Sequence, residues 1–203
     1  IKVHLILGAG VNPEVFFPEP EPSKPITVVH VSRLLWTKGV GEFFEAARFL
    51  KNKGHNFRFQ LAGEPDLENP DHIPISLLND WHKQGTIEWL GYQKDVSKVY
   101  QQSHIAVMAS YYREGIPKSL IEAASCGKPI ITCDMPGCRI IVKDGINGYL
   151  IQPRDQKALA EKILELALND SLRWEFGKKS REMAIKNFNQ DLIHQQTVNL
   201  YKS

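Results

Sequence analysis

The sequence predicts an α/β fold, a Rossmann-like parallel β-sheet flanked by helices, and three observations carry that prediction. Short aliphatic or β-branched runs alternate with segments of helical periodicity along most of the chain. The runs at residues 26–31, 104–109 and 129–132 are apolar almost throughout, as strands buried on both faces are. Between the last two lies a helical segment that stops at Gly127, which is the form of a crossover joining parallel strands. At 203 residues, with 42% hydrophobic and 24% charged, the chain is long enough to bury a sizeable core.

Taken in order, the chain opens inside a strand-like run without an initiating methionine, so the sequence is expected to be a fragment. Gly8-Ala9-Gly10 would begin a dinucleotide fingerprint only with a third glycine and a helix after it. Pro13 stands there instead, and the prolines from Pro18 to Pro25 forbid a helix. Residues 1–25 therefore read as a connection and surface strap, 26–187 as the α/β domain and 188–203 as a C-terminal helix. Further strands are expected at 57–63, 86–91 and shortly after Gly148, with residues 69–74 an irregular loop. Helices are expected at 40–50, 75–84, 95–102 capped by Asp95, and 155–168 capped by Asp155. Two more follow, one capped by Ser171 and running to about residue 187, one at 190–201.

The candidate site lies after the strands at 26–31 and 104–109, the edge where parallel sheets bind ligands. Arg33 and Lys38 follow the first. Glu114, Gly115, Ile116, Pro117, Lys118, Ser119, Leu120 and Glu122 follow the second. Pro117 suits a first helical position, which leaves the amides of Lys118, Ser119 and Leu120 facing the loop as an anion site. Cations and amides for a diphosphate, with carboxylates for hydroxyls, suit a sugar nucleotide. Each residue also has a plainer reading: Glu114 as an electrostatic helix cap, Glu122 as a surface partner of Lys118, Arg33 laid over Trp36, Lys38 solvated. Tyr92, just past a strand end, either stacks on a nucleobase or is an amphipathic rim residue.

Composition removes other classes. A net charge of +2 gives no warrant for nucleic-acid binding. Cys126, Cys133 and Cys138 cannot all pair and lack zinc spacing, and the histidines are scattered, so reduced thiols, a cytoplasmic setting and no metal are expected. There is no twenty-residue apolar run or signal peptide, which leaves only peripheral membrane association.

Together, Arg33 with Lys38-Gly39, Glu114 through Ala123, Gly127-Lys128-Pro129-Ile130-Ile131, the Pro136-Gly137 turn with Cys138-Arg139, and Asp144-Gly145-Ile146-Asn147-Gly148 resemble the C-terminal half of the retaining glycosyltransferases of family four. That resemblance implies the GT-B fold, two Rossmann-like domains across a cleft, with this chain as the donor-binding half and the N-terminal acceptor domain outside it. It further implies that Arg33 and Lys38 hold the donor diphosphate, Glu122 the ribose and Glu114 the transferred sugar, with the amides from Gly115 onward near the diphosphate. No metal or cofactor is implied. Ile140 departs from the family, which often has a glutamate there. The Pro-Gly-Cys-Arg form and Lys118 resemble the branch that builds bacterial surface polysaccharides from UDP-sugars, with a glycan or lipid-linked acceptor. The isolated half is then expected to transfer little. Two alternatives are a non-catalytic nucleotide-sugar-binding module, which would not need Glu114, and a nicotinamide-dependent oxidoreductase, which Pro13 disfavours.

Overall fold

Six strands, β1 (Thr27–Val31), β2 (Arg58–Ala62), β3 (Glu88–Gly91), β4 (Ile105–Met108), β5 (Ile130–Cys133) and β6 (Gly148–Ile151), pair in parallel in the order β3-β2-β1-β4-β5-β6 in the computed structural model, which describes residues 10–201. The strand-like run before Gly8 and the Gly8-Ala9 step lie outside the described residues. Helices α1 (Val40–Asn52), α2 (Ile75–Lys83), α3 (Val96–Gln101), α4 (Lys118–Ser125), α5 (Pro136–Ile141), α6 (Gln156–Leu168), α7 (Asp170–Phe188) and α8 (Gln190–Tyr201) make the rest of the fold. Among the described residues no helix is long and apolar enough to cross a membrane.

Alternation along the strands divides the core into two layers. Val28, Ile105, Val107, Ile131 and Cys133 face α1 and α6, where Phe43, Leu50, Leu159 and Ile163 are fully buried. Val29, Ala106, Met108 and Ile130 face the other way, onto Leu120, Ile121 and Ala124 of α4 and Ala184 and Phe188 of α7. Helices on both faces are what allowed the strands to be apolar throughout.

Three local expectations are corrected. Pro136-Gly137 opens α5 rather than making a turn, because Pro136 sits at the start of the helix, where its missing N–H costs nothing. α7 is capped not by Ser171 but by Asn169, whose side chain accepts from the Leu172 amide at 3.0 Å. Pro117 is the N-cap of α4, not its first helical residue, and its carbonyl takes the Leu120 amide at 3.1 Å. That amide is therefore unavailable to a ligand.

The strap from Val11 to Pro25 is irregular and held from outside itself. A proline run has few N–H groups to give, so its carbonyls accept instead. Arg181 donates to Phe16 O at 2.6 Å and Pro13 O at 3.2 Å, Ser125 Oγ to Phe16 O at 2.6 Å and Gln101 Nε2 to Phe17 O at 3.1 Å. Arg173, buried in α7, pairs with Glu21 at 2.8 Å. At its start the strap joins the end of α7: Val11 N donates to Phe188 O at 2.7 Å and Gln190 N to Val11 O at 3.0 Å. All three cysteines are buried free thiols, with burial pushing Cys126 and Cys133 up to about 12.

Gly39, just before α1, has φ +77°, and a Cβ there would collide with the Ala109 carbonyl after β4. Gly39→Ala is expected to cost about 3 kcal/mol, near the upper end for single substitutions, read as a lowered urea midpoint.

Candidate functional site

The strand order reverses at β1, so the segments leaving β1 and β4 diverge and open a crevice at their C-terminal ends. Lys38 comes from the first segment and Glu114 from the second. They meet: Lys38 Nζ donates to both Glu114 carboxylate oxygens at 2.6 Å, and Ser110 Oγ donates to Oε1 at 3.1 Å. With side chains 12% and 26% exposed, the pair is screened far less than a surface bridge.

Main-chain contact holds the two segments together. Thr37 O accepts from the Tyr111 amide at 3.1 Å and from Ser110 Oγ at 3.3 Å. Asp71, from the loop after β2, accepts from the Thr37 amide at 2.9 Å and from Thr37 Oγ1 at 2.5 Å. On the far side, a Cβ at Gly137 would strike the Gly115 carbonyl, so α5 presses backbone to backbone on the Glu114–Gly115 step. Lys38 and Glu114 thus project from a scaffold with little freedom to shift.

A cleft of about 580 Å³ is lined by Arg33, Thr37, Lys38, Asp71, Tyr112 and Glu114. A second, of about 270 Å³, is lined by Arg33, Gly63, Tyr92 and Gln93 among others. Arg33 borders both. It reaches Asp66 at 3.0 Å with its side chain 65% exposed, a bridge of small energetic worth. Tyr92 is exposed on the wall of the smaller cleft.

At the start of α4, the amides of Lys118 and Ser119 have no backbone acceptor among the described residues. Glu122 pairs with Lys118 at 3.6 Å, yet it is not the surface residue that a plain i,i+4 pair suggests. Its side chain is 13% exposed, and burial pushes its carboxyl above the usual range against the opposing pull of Lys118. Gly115 and Ile116 lie in the turn before Pro117. Ser110, Asp71 and Tyr112 escaped sequence reasoning. Asp71 gave one signal, its place in a loop after a parallel strand.

Beneath the crevice His30 is fully buried in β1. Its Nε2 lies 2.9 Å from Ser32 Oγ, which donates to Arg33 O at 2.8 Å, while Nδ1 has no hydrogen-bond partner among the described residues. Burial, assisted by the nearby Lys38 charge, lowers its pKa to about 3, so the ring is neutral. No cluster of three or more His, Cys, Asp or Glu that could hold a metal occurs among the described residues.

Comparison with known proteins adds likenesses of sequence and of fold. Residues 11–183 match the family described as Glycosyl transferases group 1. The chain is 34% identical over 214 residues to the N,N'-diacetylbacillosaminyl-diphospho-undecaprenol alpha-1,3-N-acetylgalactosaminyltransferase of Campylobacter jejuni, over 98% of this chain and 54% of that protein. It is 31% identical to the poly(ribitol-phosphate) alpha-N-acetylglucosaminyltransferase of Staphylococcus aureus, over 87% of this chain and 35% of that protein. A crystal structure of a mutant of S. aureus TarM in complex with Fondaparinux, alpha-GlcNAc-glycerol and UDP matches with a TM-score of 0.76 and 27% identity, over 91% of this chain and 38% of that one. The chain thus spans about half, or less, of the length of these proteins.

The buried neutral His30 fixes the sign of one pH effect. Between its folded pKa of about 3 and its unfolded 6.5 the unfolded chain binds the extra proton, so stability is present above 6.5 and lost as pH falls toward 3. The loss is expected at up to about 1.4 kcal/mol per pH unit. Urea midpoints should show a shallower acid slope in His30→Asn than in wild type.

Proposed function

The chain belongs to the group 1 glycosyl transferases, and from that membership we propose that it is the half of a retaining, metal-independent enzyme that binds the nucleotide-sugar donor. In this reading the base enters the smaller cleft against Tyr92 and Gln93. The diphosphate lies between Arg33, Lys38 and the amides of Lys118 and Ser119, and the sugar points toward Glu114. Glu122 takes the ribose hydroxyls once Lys118 turns to the phosphate. The observation that carries the reading is the Lys38–Glu114 pair at the strand-order reversal, an ammonium for the leaving phosphate beside a carboxylate for the sugar.

The chemistry needs no protein nucleophile. As the bond between the anomeric carbon and the diphosphate breaks, the electron pair stays with phosphate oxygen and positive character grows on the carbon. Arg33, Lys38 and the two amides oppose the first charge, and Glu114 lies on the side of the second. These interactions strengthen toward the transition state and so act on the rate. A diphosphate also competes with Glu114 for Lys38, which frees the carboxylate as the donor seats.

UDP as the nucleotude's class rests on the TarM complex, whose ligands include UDP. A glycan or lipid-linked acceptor in surface-polysaccharide assembly rests on the names of the relatives. We place the activity in the cytoplasm, peripheral to the membrane, with acceptor contacts supplied by a further domain.

Isothermal titration of this chain with UDP, GDP and ADP tests the reading. UDP is expected to bind most tightly, with affinity falling at least about tenfold in Arg33→Ala and in Lys38→Ala, the loss of one charge-assisted contact. Glu122→Ala should weaken UDP binding, and Glu114→Ala, which removes the competitor for Lys38, should not weaken it. UDP binding that is equal in wild type, Arg33→Ala and Lys38→Ala would overturn the assignment.

A further inference from the structure

On the other side of the turn that carries Lys38 lies a recess of about 380 Å³ that takes no part in the donor reading. Its walls are Trp36, Phe44, Trp81 and Tyr111, with Glu42 and Glu45 among them. Phe44 and Trp81 stack on one another at 4.2 Å, and Trp36 meets Trp81 edge-on at 6.3 Å. The Trp36 ring packs against Gly41, where an added Cβ would come within 3.0 Å of it, yet the residue remains 37% exposed. An indole held rigidly and left open is a platform.

The charges around the recess balance. Glu45 is bound by Arg48 at 2.5 Å. The Arg154 guanidinium stands 4.6 Å from the centre of the Tyr111 ring and attracts Glu42 only at longer range. Glu42 forms no ion pair among the described residues, although burial already pushes its carboxyl above the usual range. Two acids and two arginines favour neither an anion nor a cation, and the Glu42 carboxylate, which takes its own backbone amide but no ion-pair partner among the described residues, keeps lone pairs for hydroxyl donors. A pyranose ring has both required features: C–H faces that pack on an aromatic surface and a rim of hydroxyls.

We propose that this recess is a second carbohydrate subsite, in which a neutral pyranose unit of a glycan stacks on Trp36 and donates hydroxyl hydrogen bonds to Glu42. The proposal deepens the glycosyltransferase reading and rests on it for the class of ligand. Trp36 and Lys38 share one turn, and Thr37 between them is bonded to Tyr111, so a glycan held here lies two residues from the donor cleft. The subsite would retain a growing chain beside the place where sugars are added.

Saturation-transfer difference NMR on the full chain with maltose and N,N'-diacetylchitobiose, repeated with saturating UDP, is the test. Transfer to the ring protons of at least one sugar is expected, with and without UDP. It should be lost in Trp36→Ala and reduced at least severalfold in the near-isosteric Glu42→Gln, while UDP titrations of both variants match wild type. No transfer from either sugar, or transfer equal in wild type and both variants, overturns the subsite. UDP binding distinguishes the two readings: a chain that binds UDP but shows no Trp36-dependent transfer loses the subsite alone, and one with Trp36-dependent transfer but no UDP binding loses the donor site alone.

Discussion

The crevice exists because chain segments at the C-terminal edge of the sheet touch through their backbones. Gly39 lies against the carbonyl of Ala109, and Gly137 lies against that of Gly115. At neither contact is there room for a methyl group. This proximity lets Thr37 accept from Tyr111 and Ser110, and lets Lys38 reach Glu114 across the boundary between β1 and β4. Loops held by long side chains could settle in many arrangements. Loops held by main-chain contact have few, and a charge placed on them points in a fixed direction.

The electrostatics follow from that rigidity. Lys38 and Glu114 satisfy one another, Arg33 has a weak outer partner in Asp66, and Glu122 has Lys118 at 3.6 Å. Each charge of the candidate site therefore has a protein partner that an incoming phosphate or hydroxyl can replace. The burial that raises the Glu122 carboxyl also makes an unpartnered charge costly there, so the replacement must be nearly one for one. His30 beneath them stays neutral and links β1, through Ser32, to the carbonyl of Arg33.

Much of the fold was legible in the sequence, since β-branched runs such as residues 27–31 and the helical periodicity of residues 40–52 each carry their own signal. The opening of α5 was not, because a Pro-Gly step fits both a turn and the first turn of a helix, and only packing on Gly115 decides. In the site, Lys38 and Glu114 could be placed at the correct edge of the sheet. Their pairing spans 76 positions and depends on strand order, which no local pattern encodes. Asp71 and Ser110 matter through single contacts from loops without periodicity, so the sequence offered little to distinguish them. Trp36 read as a loop residue, and its value as a platform depends on Gly41 beneath it and Trp81 beside it.

The strap and the end of α7 meet where Val11 is bonded to Phe188 and Gln190. The start of the strap and the start of α8 are thus fastened at one corner, while Arg173 and Arg181 clamp the rest of the strap to α7. Both bonds of that corner run from main chain to main chain, so a change of side chain at Val11, Phe188 or Gln190, proline excepted, leaves the fastening itself in place.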